Sequence, residues 1–202
     1  MARLAPFPEH LVAALRRQDR PVFERFVIHC MPYVHDVAFR MTHDHDRAAD
    51  IAQEVFMRAF QALPMFKGRS SLCTWIYRIA ANTTLMELRK HTRRPPVDPL
   101  SQVDAEQVAT LIDSAETTCK DNPERRLVEH ELGEMINDAL STLSPNLRIA
   151  FILRDIEQLS VAETAQALGL SETAVKSRTH RARKALREQL GDYVEGLRPK
   201  RM

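Results

Sequence analysis

Glycine is scarce in this sequence, five in 202 residues, and no run alternates apolar and polar side chains. Both shortages argue against sheet, whose half-buried strands read with a period of two and whose tight hairpins lean on glycine. Cys30, Cys73 and Cys119 form an odd set without CxxC spacing. That excludes a disulfide framework and reads as reduced thiols in a cytosolic protein. No stretch nears the roughly 20 apolar residues of a membrane span, and no apolar run follows Arg3, so neither membrane insertion nor a signal peptide is expected. The formal net charge is only +2, so the case for or against nucleic acid rests on where the cations sit. HExxH spacing, a Gly-rich phosphate loop and a nucleophile motif are missing, which weighs against an enzyme and against a cofactor.

What remains is rich in Ala, Leu, Arg and Glu, all good helix formers, and the fold expected is all-α. From about residue 7 to 94 apolar residues recur at helical spacing, with Pro21 and Pro32 as helix starts or breaks. Asp46 to Leu63 reads as one helix turning Ile51, Val55, Phe56, Ala59, Phe60 and Leu63 inward. Pro64 and Gly68 mark a loop. A second long helix then runs from about Leu72 to Lys90, its core side carrying Trp75, Ile76, Ile79, Ala80 and Thr83. Residues 95–124 differ. They open on Pro95, Pro96 and Pro99 and set seven carboxylates, from Asp98 to Glu124, against Lys120 alone, the composition of a solvated linker. A helical turn is expected there at Val108 to Ile112. From 125 to 190 the pattern is helical again, with an apolar stripe of Leu132, Met135, Ile136, Ala139, Leu140 and Leu143. Ser144-Pro145 and Ser171 read as helix starts, Ser160 to Glu163 as a capping box, and the residues from Pro199 as a frayed tail.

The sharpest local motif is a helix-turn-helix. Val161 to Leu168 is a short helix, Gly169 permits the positive φ of a tight turn, and Ser171 starts the next helix. Ala165 is small enough for close helix packing, and Val175 anchors the second helix to the first. That second helix carries Lys176, Arg178, Arg181, Arg183, Lys184 and Arg187, with Glu172 the acidic residue of its first turns. Such side chains suit phosphates and base edges in a major groove.

The remaining motifs make the chain resemble the extracytoplasmic-function sigma factors of bacterial RNA polymerase, close to the envelope-stress type. Asp50-Ile51-Ala52-Gln53-Glu54-Val55-Phe56 resembles that family's polymerase-binding helix. Phe66-Lys67-Gly68-Arg69-Ser70, Thr74-Trp75-Ile76-Tyr77-Arg78-Ile79-Ala80, Asn82 and Arg89-Lys90 resemble its promoter-melting segment. Val175-Lys176-Ser177-Arg178 with Arg181-Ala182-Arg183 resembles its recognition helix. The resemblance implies two small helical domains joined by the acidic linker. The first, residues 7–94, would grip the polymerase clamp and read the minus-ten element. The second, 125–190, would bind the minus-thirty-five element and the polymerase flap. It implies a cytoplasmic, non-catalytic initiation factor without cofactor, acting in a stress or envelope response, with core RNA polymerase, promoter DNA and an anti-sigma factor as partners.

By the same resemblance Asp50, Gln53 and Glu54 would meet the clamp. Lys67, Arg69, Ser70, Arg78, Asn82, Arg89 and Lys90 would serve the minus-ten element, with the 66–72 loop holding one flipped base. Lys176, Ser177, His180, Arg181 and Lys184 would serve the minus-thirty-five element. Met86 departs from the family, which usually has a polar residue there. Trp75 is read as a core anchor and Cys73 as a buried thiol. His29, Cys30, His35, His43 and His45 crowd together in sequence as a metal site would, but adjacent residues such as His29 and Cys30 face different ways on a helix. They are read as ordinary surface or packed side chains. Two rivals stand beside this reading. A two-component-type regulator would share the helix-turn-helix but needs an α/β receiver or ligand domain, and a metal enzyme would need the histidine group.

Overall fold

The computed structural model describes residues 4–93, 133 and 135–197. The acidic stretch of 95–124 with its expected turn, the residues from 125 to 132, Cys119 and the tail from Pro199 lie outside the described residues. Among the described residues every regular element is helical.

The first half is built on three helices behind a short one, α1 (Val12–Arg16). Helix α2 (Arg20–Thr42) begins on Asp19, whose carboxylate accepts from the Val22 amide at 3.1 Å, with Pro21 in the first turn. Pro32 is no break, contrary to the sequence expectation, but lies inside α2. An interior proline removes one amide donor and crowds the carbonyl four residues back. Here Pro32 and Ile28 both stand on the solvent side, so the displaced carbonyl is left where water can serve it. His43, at φ 55°, ends α2 in the left-handed region, and Asp44 caps α3 (His45–Ala62) by accepting from the Arg47 amide. Helix α3 buries Ile51, Val55, Phe56 and Ala59 as its spacing predicts. A 3₁₀ turn over Leu63–Met65 leads to the loop before α4 (Leu72–Arg93). The three long helices pack on one another.

The second half starts at a helical stretch, α5 (135–141). Helix α6 (Pro145–Phe151) follows Ser144, which occupies the capping position without capping through its side chain. Its carbonyl instead accepts from the amides of Leu147 and Arg148. Beyond Phe151 the helix widens into one π turn (Ile152–Ile156), and the Glu157 amide donates five residues back to the Ile152 carbonyl. Helix α7 (Val161–Leu168) opens on the expected capping box, with Ser160 and Glu163 bonded reciprocally. Ser171 Oγ accepts from the Ala174 amide at the start of α8 (Glu172–Leu197).

Gly169 closes α7 at φ +65°. A Cβ placed there would meet no neighbour within 4 Å, so substitution is opposed by the backbone alone. Gly169→Ala should therefore destabilise the fold by on the order of 1–2 kcal/mol. Gly169→Asn, which tolerates this conformation better, should cost less. Thermal unfolding of the two variants checks the order.

The halves do not stand apart. Ile149, Ile152, Leu153, Leu159 and Ala167 belong to the same buried cluster as the α2–α4 core. A smaller cluster of Ala139, Leu140, Leu143, Ala182 and Leu186 joins α5 to α8. The first two surfaces meet where α7 lies along α4. Polar bonds cross the same seam. Tyr77 Oη donates to Glu157 Oε2, Arg148 donates to the Met41 carbonyl at 2.8 Å, and Arg40 donates to Asn137 Oδ1 at 3.0 Å.

Candidate nucleic-acid interface

Helix α4 separates its two roles by face. Ile76, Tyr77, Ala80, Ala81, Thr83 and Thr84 are buried, while Arg78, Asn82 and Arg89 are exposed and Met86 is half-buried. Residues three or four apart share a helix face, so Arg78, Asn82, Met86 and Arg89 form one stripe. Two donors of positive charge and one amide suit phosphates and a base edge respectively. Lys67 and Arg69 are exposed in the preceding loop, and Ser70 is half-buried. Trp75 is half-buried, its ring 5.2 Å from Phe66 at a tilt. It ties the loop to the helix, as an anchor does.

Lys90 falls elsewhere. It bonds to Glu87 and lines a shallow groove between α3 and α4 with Arg47, Asp50, Ile51 and Glu54. The structure thus brings Lys90 together with the acidic residues of α3 rather than with Asn82. On α3, Asp50 and Gln53 are exposed, and Glu54 is half-exposed and takes a 2.6 Å bond from Arg58. Arg47 and Glu87 are groove residues that sequence reading missed. Nothing in the period of either helix signals a groove made by two helices.

On α8, Val175, Thr179, Ala182 and Leu186 face inward. Lys176, Ser177, His180, Arg181 and Lys184 all face solvent. Val175 is fully buried and Ala165 nearly so, which holds α8 against α7 at the angle the turn sets. Arg187 joins His180 and Lys184 around one hollow, a place its i, i+3 spacing from Lys184 already gave. Arg183 is different. Its guanidinium forks onto Asp155 Oδ1, from Nε at 3.1 Å and Nη2 at 2.5 Å. That bond braces α8 against the π turn and gives Arg183, still exposed, a carboxylate partner.

The histidines and cysteines scatter. His35 and His45 stack with ring centroids 5.8 Å apart, and Phe39 stacks on His45 at 4.1 Å. Burial, then the neighbouring His45, pulls the His35 pKa down, which favours a neutral packed ring. Among the described residues no three of His, Cys, Asp or Glu converge as a metal-ligand set. Cys30 is the buried thiol, its pKa pushed up by burial. Cys73, expected buried, is half-buried with Sγ 3.4 Å from the Ala5 carbonyl. It sits at the first turn of α4, where the N-terminal segment only partly covers it. No helix of the described residues is long and apolar enough to cross a membrane.

Comparison with known proteins agrees over most of the chain. The family model described as Sigma-70 region 2 matches residues 26–94, and the one described as Sigma-70, region 4 matches 133–186. The RNA polymerase sigma-H factor of Pseudomonas aeruginosa is 33% identical over 184 residues, covering 90% of this chain and 93% of that protein. The ECF RNA polymerase sigma-E factor of Escherichia coli strain K12 is 32% identical over 176 residues, covering 87% and 90%. Among solved structures, CnrH in complex with the cytosolic domain of CnrY shares the fold at a TM-score of 0.62 and 21% identity, covering 90% of this chain and 96% of that one. The sigma factor RpoE in complex with the anti-sigma factor NepR from Bartonella quintana does so at 0.61 and 23%, covering 84% and 96%.

Proposed function

Because the chain belongs to the extracytoplasmic-function sigma factors of RNA polymerase, we propose how its surfaces divide the work of starting transcription. It is an alternative sigma factor, directing polymerase to promoters in a stress-related response. In our reading residues 7–94 grip the clamp and open the minus-ten element, 95–124 connect, and 125–190 read the minus-thirty-five element and meet the flap. The chain works in the cytoplasm, does no bond chemistry and needs no cofactor; the polymerase makes and breaks the bonds. An anti-sigma factor restrains it, a reading supported by the fold it shares with the sigma factor RpoE, solved in complex with the anti-sigma factor NepR.

One observation carries the division of labour. Two solvent-facing stripes of donors, Arg78–Asn82–Arg89 on α4 and Lys176–Ser177–His180–Arg181–Lys184 on α8, stand on separate helices whose opposite faces are buried. One stripe follows a loop with exposed Lys67 and Arg69, suited to separated strands. The other is the second helix of a helix-turn-helix, suited to duplex. The direct test is transcription in vitro with core polymerase and a promoter library. Run-off products that depend on this chain and share two sequence elements support the reading, and promoter-independent or absent products overturn it.

The clamp assignment has its own test. Reversing charge at Asp50 and Glu54 together should weaken retention on core polymerase by at least about tenfold, the loss expected for close charge pairs at an interface. Both side chains contact solvent, so helix content should be unchanged. A folded double variant retained as well as the original would sink the assignment.

A further inference from the structure

The inward face of α8 is mostly apolar. Val175, Ala182 and Leu186 are buried, and the hydroxyl of Thr179 among them donates to its own helix, at the Val175 carbonyl, 2.9 Å away. Apolar burial is non-directional. It presses a helix against its neighbours and sets only weakly how far the helix is rolled about its own axis. Roll matters to a helix that reads bases. A binding set must be held within roughly 0.5 Å and 10–20° of its productive geometry. At a radius of about 6 Å, a roll of 20° carries a side-chain tip about 2 Å, enough to break a hydrogen bond.

Directional bonds do reach α8. The Thr142 hydroxyl donates to Gln189 Oε1 at 2.9 Å, beyond the outward donors Lys176, Ser177, His180, Arg181 and Lys184. The bond between Asp155 and Arg183 falls among them. Arg183 comes four residues after buried Thr179 and three after exposed His180, so it stands where the inward face meets the outward stripe. Two of its N–H groups converge on one oxygen, Nε at 3.1 Å and Nη2 at 2.5 Å. A planar fork closed on one acceptor fixes direction as well as distance.

The carboxylate comes from the π turn, where the helix accommodates one residue more than a regular turn holds. Ile152 and Leu153 of this turn are buried, and Asp155 follows on the side that meets α8. Asp155 is 22% exposed, and its Oδ2 is buried without a partner among the described residues. An unbonded buried oxygen of a carboxylate carries a free-energy cost. The pair itself, with Arg183 48% exposed, adds little net stability. What it supplies is one orientation of α8 out of several that the apolar contacts would allow.

We propose that Asp155 is a positioning residue of the minus-thirty-five reader: by holding Arg183 it fixes the roll of α8, so that Lys176, Ser177, His180, Arg181 and Lys184 enter the groove in one register. The proposal rests on the assignment of α8 as that reader. In it Asp155 touches no DNA, and Arg183 gives its charge to the carboxylate instead of to a phosphate. The two side chains act as one unit, so removing both does no more than removing either.

Holoenzyme formed from core polymerase and the full chain tests this on duplexes with a matched or an altered minus-thirty-five element. The ratio of the two affinities and the salt slope are measured together. Asp155→Ala should cut the ratio roughly tenfold, the scale of one misplaced base contact. The salt slope and the affinity for the altered duplex should stay as they were, because no phosphate contact is lost. Arg183→Lys keeps the charge without the fork and should cut the ratio similarly. Because Arg183 is exposed, this variant decides the matter if Asp155→Ala fails to fold. Asp155→Asn keeps an acceptor oxygen at the same reach and should retain at least half of the ratio. The double variant Asp155→Ala/Arg183→Ala should lose no more than Asp155→Ala alone.

An unchanged ratio in Asp155→Ala and Arg183→Lys would overturn the proposal. So would a fall in both affinities together with the melting temperature, which would mark a bond that only holds the fold. A salt slope raised by about one unit in Asp155→Ala, as a released Arg183 takes up a phosphate, would also overturn it, since Asp155 would then be masking a cation. Arg181→Ala separates these failures from failure of the reader assignment. If it lowers affinity for the matched duplex while the Asp155 and Arg183 variants leave the ratio unchanged, only the positioning role falls. If it leaves that affinity unchanged, α8 is not the reader.

Discussion

Replacing Arg148 by alanine should destabilise the chain by on the order of 3–5 kcal/mol, the largest single-residue loss expected here. Arg148 is 8% exposed and lies on α6. One of its terminal nitrogens donates to the Met41 carbonyl at 2.8 Å. The other donates to the carbonyls of Ser141 and, at 3.2 Å, Leu143. These acceptors share a cause. Met41 is in the last turn of α2 and Ser141 ends α5, and the last carbonyls of a helix have no donor within it. One guanidinium thus serves the C-terminal ends of two helices, where positive charge is also favoured by the helix dipole. Burial lowers its pKa, a cost that the three acceptors offset. Alanine removes the donors and leaves three carbonyls to find others. Lysine restores a charge but not a planar fork pointing two ways, so Arg148→Lys should recover less than half of the loss. Urea unfolding of the three chains gives the numbers. Loss of the Met41 bond also loosens the seam, so probes placed in each half should begin to unfold at different urea concentrations. A loss under 1 kcal/mol would show that the carbonyls find water as readily as they found Arg148.

Arg148 also marks where sequence reading stops. The helix-turn-helix was legible because its determinants are local. Ala165, Gly169 and Val175 stand at fixed offsets, the Ser160–Glu163 box is a four-residue signature, and all appear in the structure as expected. The outward stripes of α4 and α8 follow from a 3.6-residue period, which the sequence displays directly. Partners distant in sequence leave no such trace. Arg148 reads as one more surface arginine on α6, and Glu157 as a polar residue between helices. Nothing in the spacing tells that Met41 or Tyr77 will meet them. Arg183 was counted among the cations of the recognition helix, and only the fold shows it bound to Asp155. Pro32 departs from expectation for the opposite reason: the local rule that proline breaks a helix is overridden by the rest of a 23-residue helix packed on α3 and α4. The resemblance sets Lys90 with Asn82, and the groove facing Asp50 and Glu54 separates them.

The two proposed DNA readers, α4 and α8, should fail in different ways when each loses one side chain. Arg181 stands exposed in the third turn of α8, one turn beyond Lys176 and Ser177, within reach of a major groove or its phosphates. In holoenzyme, Arg181→Ala should weaken duplex binding at the minus-thirty-five element by about 1–3 kcal/mol if it makes a bidentate base contact. That loss would vary with the base pair offered. If it touches phosphate alone, the loss should be the same on every sequence, and the slope of log affinity against log salt should fall by roughly one unit. Filter binding across salt, on matched and altered elements, separates the two. Asn82 stands on α4, between Arg78 and Met86 on the outward face. Its amide is suited to a base edge that becomes available when strands part. Asn82→Ala should leave closed-complex affinity nearly unchanged and reduce strand opening by on the order of tenfold, the equivalent of one lost base contact. Permanganate reactivity of unpaired thymines reports opening independently of affinity. Met86 beside it offers no hydrogen bond, so Met86→Ala should reduce opening less than Asn82→Ala does. Should Asn82→Ala abolish closed binding and leave opening normal in the complexes that form, α4 would be a duplex reader and the division between the two helices would be wrong.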